Sequence, residues 1–241
     1  MQLRAVKNYE EMSILASSML VEKVNKLERP VLGLATGSTP EGLYKQLIKQ
    51  YEEKKVSFQH VKTFNLDEYV GLNKQDEQSY HYYMKDKLFR HVDIPEQHVH
   101  LPNGAAANLD EECKAYESRI KENGGIDVQI LGIGLNGHIG FNEPGTSFSS
   151  RTHLVDLAPS TRQANARFFT SLEQVPEQAI TMGIDTIMQS KEILLLVSGE
   201  KKAKAVARMV EGDITEEFPA SILQKHPNVR VIGDEAALSL L

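Results

Sequence analysis

The 241-residue chain reads as an α/β protein, a mostly parallel sheet covered by helices on both faces. Three observations predict it. Short aliphatic runs recur at residues 31–35, 126–132 and 192–197, nearly continuous in apolar residues, as strands buried on both faces are. Amphipathic stretches of helical period separate them. Glycine, proline and hydroxyl residues punctuate the junctions, where strands hand over to helices. No repeat, low-complexity tract or Pro/Gly/Ser linker divides the chain, so one domain is expected over 1–241.

Each element has its own warrant. Met12, Leu15, Ala16, Met19, Leu20, Val24 and Leu27 recur at helical spacing, so 8–28 reads as a helix, stopped by Arg29-Pro30. The strand at 31–35 ends in Thr36-Gly37-Ser38-Thr39-Pro40, and a helix follows to about residue 54. A second strand, 61–65, ends in Leu66-Asp67-Glu68. Residues 78–90 read as helix, 99–101 as a short strand, and 109–123 as a helix closed by Gly124-Gly125. Strands at 126–132 and 192–197, a helix at 200–210 and a last strand at 229–232 complete the alternation.

Composition narrows the function classes. Hydrophobic residues make up 41% and charged residues 25%, ordinary for a soluble globular chain. The net charge of −6 argues against a sequence-independent nucleic-acid binder, which needs a basic face for phosphates. The single cysteine, Cys113, allows no internal disulfide and points to a reducing compartment, hence the cytoplasm. The longest aliphatic run, 193–197, is too short to span a bilayer, and the N-terminus has no apolar signal core.

In such folds ligands sit beyond the carboxyl ends of the strands, so those residues carry the functional argument. At the first, Gly37 permits a sharp turn, Ser38 and Thr39 offer hydroxyls, and the next helix leaves backbone N–H groups unpaired. That suits a phosphate. A plain capping box, Ser38 with Glu41, explains part of the same pattern. At the second, Asp67 and Glu68 are acid/base candidates, or a solvated turn; adjacent acids on a strand face opposite ways, so at most one enters the site.

Gly132-Ile133-Gly134-Leu135-Asn136-Gly137 fits a dinucleotide fingerprint, but no helix opens at the third glycine. Gly140, Pro144 and Gly145 follow too soon. No nicotinamide or flavin is expected there. The stretch is more informative as an acid/base loop. His138 can exchange protons near neutral pH, and Glu143 can orient it, with Asn136 beside them. The alternative is a structural loop whose polar groups satisfy backbone. A metal set drawn from Asp67, His138, Glu143 and His153 has no compact ligand spacing, so no metal is expected. Lys202, at the start of the helix after 192–197, opposes the helix dipole unless an anion sits there.

Taken together, Leu34-Ala35-Thr36-Gly37-Ser38-Thr39-Pro40, Thr63-Phe64-Asn65-Leu66-Asp67-Glu68-Tyr69, Gly134-Leu135-Asn136-Gly137-His138-Ile139-Gly140-Phe141-Asn142-Glu143-Pro144 and Arg167-Phe168-Phe169 resemble the glucosamine-6-phosphate deaminase family over essentially the full chain. The resemblance implies a Rossmann-like three-layer sandwich and conversion of glucosamine 6-phosphate and water to fructose 6-phosphate and ammonium. It implies no cofactor and no metal. By resemblance Asp67 is the C2 proton acceptor, His138 the ring-opening acid/base and Glu143 its partner. Gly37, Ser38, Thr39, Arg167 and Lys202 fall where the family holds phosphate, and residues 150–189 match a mobile lid segment.

Two departures qualify it. Many family members carry aspartate where this chain has Asn136; an amide can orient His138 but adds no charge. Allosteric members are hexamers activated by N-acetylglucosamine 6-phosphate, with two basic residues where this chain has His153 and Val155, and a longer tail. The expectation is a non-allosteric monomer or small homo-oligomer that takes a small-molecule substrate, with no nucleic-acid or membrane partner. The alternatives are a related sugar-phosphate isomerase, a 6-phosphogluconolactonase, or a non-catalytic sugar-phosphate sensor.

Overall fold

The computed structural model describes residues 1–241 except 167 and 168, and the side chains of 160 and 164 are also left aside. Seven strands form one sheet in which every pairing is parallel: β1 (Gln2–Val6), β2 (Val31–Leu34), β3 (Lys62–Asn65), β5 (Val99–His100), β6 (Val128–Leu131), β9 (Ile193–Val197) and β10 (Val229–Asp234). Their order across the sheet is β1-β10-β9-β6-β2-β3-β5. From β2 the chain steps outward through β3 to β5, then returns to the other side of β2 and steps out again through β6, β9 and β10. The order therefore reverses between β2 and β6. Right-handed crossovers in opposite directions send the connecting helices to opposite faces. At the reversal the loops part and leave a crevice.

The predicted strands are all present, within a few residues at each end. All five residues of β9 are buried, and each aliphatic side chain there contributes about 1.5–3 kcal/mol relative to exposure. Helix α1 (Tyr9–Lys26) is set by Asn8, whose side chain accepts the Glu11 N–H at 2.9 Å, with acids in the first turn and lysines in the last. Helix α2 (Glu41–Glu52) crosses α1 closely: a Cβ on Gly42 would meet Ser13 Oγ at 2.2 Å. Helices α3 (Tyr80–Lys87), α4 (Leu109–Glu122) and α7 (Ala203–Glu211) match the remaining expected helices, α7 after a 3₁₀ turn at Glu200–Lys202.

The sequence reading did not assign β1, nor the elements of a second sheet. β1 is an almost wholly exposed edge strand, so it lacks the apolar pattern that marks the others. The second sheet joins β4 (Asp67–Tyr69) to β8 (Gln178–Thr181) and β8 to β7 (His153–Asp156), all antiparallel. Two of these strands lie in the expected lid segment, together with α5 (Pro159–Asn165) and α6 (Ile184–Met188). Glu117 of α4 holds both ends of that segment. Its Oε1 accepts from Thr152 N–H (2.8 Å) and Thr186 Oγ1 (2.6 Å), and its Oε2 from Arg151 (2.6 Å). Among the described residues no helix is long and apolar enough to cross a membrane.

Candidate active site

The carboxyl ends of β3, β2, β6 and β9 lie side by side across the reversal. Each delivers one of the sequence-predicted segments: Asp67, the Thr36–Thr39 turn, the Gly132–Glu143 loop and the Lys202 turn.

The turn after β2 is built by its backbone. Gly37 has φ of +93°, a conformation that disfavours any side chain, although a Cβ there would touch nothing within 4 Å. The capping box, the alternative reading of this turn, is absent. Pro40 occupies the N-cap of α2, and no side chain caps it. Tyrosine hydroxyls hold the turn instead. Tyr44 donates to Ala35 O (2.5 Å), Tyr83 to Gly37 O (2.6 Å) and Tyr9 to Ser38 O (2.9 Å). Tyr9 also accepts the Gly42 N–H at 2.7 Å, taking up one open donor of the helix start.

The two adjacent acids part as the strand geometry requires. Glu68 turns to α3, where its Oε1 accepts the Tyr69 and Tyr80 N–H groups at 2.9 Å each. Its Oε2 faces the His81 N–H (3.0 Å) and Nδ1 (2.8 Å). This is a buried carboxylate sealing a helix N-terminus. Asp67 is buried too, yet no described residue donates to its carboxyl group. Burial, and the neighbouring Glu68 charge, push its pKa up to about 8. It opens β4, opposite Thr181 of β8, and a Cβ on Gly140 would lie 3.7 Å from its Oδ2. Asp67 therefore faces the loop after β6.

That loop needs its glycines for space. A Cβ on Gly134 would stand 2.4 Å from the His138 ring, and one on Gly137 2.4 Å from the Phe218 ring. Gly140 combines φ of +57° with Thr181 Oγ1 only 3.1 Å from its would-be Cβ. Asn142, wholly buried, donates to Ile139 O (2.8 Å) and Met182 O (2.9 Å), fastening the loop to the end of β8. The backbone is thus wrapped around the imidazole.

Glu143 is the electrostatic centre of the loop. Its Oε2 accepts from Asn136 Nδ2 at 2.6 Å, and its Oε1 accepts from the Thr161 hydroxyl of α5. The same Oε1 lies 3.6 Å from His138 Nδ1, an ion-pair separation longer than a hydrogen bond. Burial would raise the Glu143 pKa, but the nearby imidazole, the Thr161 hydroxyl and the Asn136 amide hold it down at about 2. Asn136 was expected to orient the imidazole; it orients Glu143 instead, and its Oδ1 accepts the His138 backbone N–H at 3.2 Å.

Lys202 reaches the same crevice, donating from Nζ to Ile133 O at 2.6 Å. Asp234, at the end of β10, shapes the turn before it through Ser198 Oγ (2.5 Å) and Gly199 N–H (3.0 Å). Arg167 lies outside the described residues. Sequence reasoning missed Thr161 and the tyrosines around the β2 turn. Their partners are 18 to 46 positions away in sequence for Thr161 and Tyr83, and no local pattern marks such contacts.

The fold is thus a doubly wound α/β sheet that sets a buried high-pKa carboxyl group and a histidine–carboxylate pair at its switch point, where such sheets bind their ligands. The chain belongs to the family described as glucosamine-6-phosphate isomerases/6-phosphogluconolactonase, which matches residues 10–232. It is 62% identical to a glucosamine-6-phosphate deaminase of Oceanobacillus iheyensis, over 99% of this chain and 95% of the relative. It is 51% identical to glucosamine-6-phosphate deaminase 1 of Bacillus subtilis, over 100% and 99%. A solved structure described as a monomeric glucosamine-6-phosphate deaminase superposes with a TM-score of 0.98 at 51% identity, covering 100% of both chains. A 6-phosphogluconolactonase from Leishmania guyanensis, at 21% identity and a TM-score of 0.76 over 98% and 97%, shares the fold.

Proposed function

We propose that the chain converts D-glucosamine 6-phosphate and water to D-fructose 6-phosphate and ammonium. The observation that carries this reading is the pairing, in one crevice, of a buried Asp67 with pKa about 8 and a His138–Glu143 pair whose carboxylate is held near 2. Two acid/base centres with opposed environments serve two successive proton transfers. Full-length identity of 51–62% to proteins named glucosamine-6-phosphate deaminase supports the same substrate.

The chemistry follows from the sugar. The ring opens first, because only the free aldehyde acidifies the hydrogen at C2. His138 moves the proton from the anomeric hydroxyl to the ring oxygen, and Glu143 balances the imidazolium charge. Asp67, as the carboxylate, takes the C2 proton and returns it at C1. The aldose becomes a ketose and its amine an imine, which water hydrolyses to fructose 6-phosphate and ammonium. The turn at Gly37, Ser38 and Thr39, with Arg167 and Lys202, takes the phosphate, and that remote binding orients the reacting carbon. Residues 150–189 act as the lid. Support for this comes from their two anchored ends on Glu117 and the reach of α5 to Glu143 through Thr161. The chain acts in the cytoplasm as a non-allosteric monomer, a reading supported by its likeness to the structure described as monomeric.

The test is ammonium release from glucosamine 6-phosphate, with fructose 6-phosphate followed in parallel, in wild type, Asp67→Asn and His138→Gln. Equal yields of both products from wild type, lost in both variants, are expected. A well-folded wild type that releases no ammonium overturns the reading and favours the isomerase, lactonase or sensor alternatives.

A further inference from the structure

We infer that Tyr83 and Tyr9 are positioning residues for the phosphate turn: their hydroxyls hold the carbonyls of Gly37 and Ser38 so that the next two N–H groups face the anion. The inference rests on the phosphate reading of that turn given above. In a trans peptide the C=O and the following N–H point in opposite directions. Tyr83 donates to Gly37 O at 2.6 Å, so the Ser38 N–H points away from α3. Tyr9 donates to Ser38 O at 2.9 Å, so the Thr39 N–H points away from α1. Among the described residues nothing accepts a hydrogen bond from either N–H. Two successive donors at the start of a helix, both fixed and both open, form an anion-binding concavity.

The tyrosines are needed because the turn cannot hold itself. Gly37 has φ of +93° and nothing within 4 Å of a would-be Cβ, so neither crowding nor a side chain restrains its peptide planes. Ser38 is exposed, and no side chain caps α2. Each hydroxyl comes from a helix that is itself fixed. Tyr83 lies in α3, whose first turn is sealed by Glu68. Tyr9 opens α1, which packs against α2 closely enough to require glycine at position 42. Tyr9 also accepts the Gly42 N–H at 2.7 Å, so one hydroxyl ties the turn to the helix that follows it. Without these bonds the peptides at 37–38 and 38–39 can flip. A flipped peptide presents a carbonyl, which repels phosphate.

The test compares wild type with Tyr83→Phe, Tyr9→Phe and the double variant. Phenylalanine keeps the packing and removes only the hydroxyl. Two quantities are read: kcat and KM with glucosamine 6-phosphate, and the dissociation constant of inorganic phosphate by calorimetry. Loss of a neutral hydrogen bond weakens binding about 2- to 10-fold. Each single variant is expected to raise KM and the phosphate constant together by that factor, and the double variant by more, with the effect on KM rather than kcat. Tyr9→Phe, at the end of α1, serves if Tyr83→Phe fails to fold. A folded double variant that binds phosphate as wild type does overturns the inference, as does a fall in kcat with phosphate binding unmoved. A wild type that neither binds phosphate nor releases ammonium overturns the functional reading instead.

Discussion

Two carboxylates face one crevice and are held in opposite ways. Asp67 sits at the head of a short strand, buried, with no described donor on its oxygens, and its pKa rises to about 8. Glu143 sits on a glycine-rich loop with Asn136 on one oxygen and Thr161 on the other, and its pKa falls to about 2. Both are largely withdrawn from water. Burial therefore does not decide which way a carboxyl group titrates; the donors around it do. One carboxyl group, left without donors, holds its proton more tightly, and the other, supported by two donors, gives its proton up more readily.

The comparison breaks first at Asp67. Asp67→Asn is expected to lower kcat for ammonium release by about 10²- to 10⁴-fold, the usual loss for a general base. It should also stabilise the fold. Above pH 4 the unfolded chain ionises this carboxyl group while the native state keeps its proton until about pH 8. The native state loses stability across that window, on the order of a few kcal/mol in all. Melting temperatures of the variant and wild type should converge near pH 4 and separate toward pH 8, with the variant higher. A variant no more stable at pH 8 contradicts the unsupported state of Asp67. In wild type, kcat/KM should rise with pH through a limb near 8 as the base loses its proton.

Glu143→Gln should show the opposite signature. A charge-assisted bond carries about 1.5–3 kcal/mol, so kcat should fall about 10- to 100-fold. Because the folded pKa lies below the unfolded value of 4.5, the carboxylate stabilises the native state above that pH. That contribution is lost as pH falls toward 2. The variant should therefore melt below wild type at pH 7, and the gap should close in acid. A variant that melts higher at pH 7 would erase the contrast between the two groups.

The two glycine turns sharpen the same contrast with smaller effects. Gly134→Ala drives a methyl into the His138 ring, which a Cβ would approach to 2.4 Å. About 1–3 kcal/mol of stability should go, with a fall in kcat as the imidazole shifts. Gly37→Ala meets no atom, so its cost is the conformational strain of φ at +93°, about 1–2 kcal/mol, and its kinetic effect falls on KM. Steady-state kinetics and melting of the pair distinguish crowding from strain.

This difference also marks how far the sequence could be read. The sheet was legible because β2, β6 and β9 are apolar runs bounded by turn residues, and the period does not depend on distant contacts. Asp67, His138 and Glu143 could be singled out as candidates because they stand at strand ends, where such folds bind ligands, but the strand ends alone left Asp67 and Glu68 open as a solvated turn. β1 and β7 were not legible, since their exposed or half-exposed residues carry no core pattern. Nor were the distant partners that hold the site's loops and Glu143 in place. Thr161 stands 18 positions from Glu143, Thr181 lies 40 from the Phe141 N–H it accepts, and Tyr83 lies 46 from Gly37. Only the fold brings them together. The capping box at Ser38 and Glu41 was legible and absent, because Pro40 takes the N-cap and tyrosines supply the bonds.

Asn136→Asp gives the smallest expected effect and tests the comparison most finely. The aspartate keeps an acceptor for the His138 backbone N–H, now met by Asn136 Oδ1 at 3.2 Å. It replaces the amide donor, 2.6 Å from Glu143 Oε2, with an oxygen. Two carboxylates at that separation cannot both stay ionised at low pH, so the pair keeps one proton to higher pH than Glu143 alone does. Glu143 is thereby released from its hold at about 2 and starts to resemble Asp67. The acid limb of kcat/KM should move upward by about one unit, with the rate at pH 8 changed only a few-fold. A limb that stays in place would mean that the charge on Glu143 is not what His138 works against. The contrast between the two carboxylates would then be a feature of stability alone.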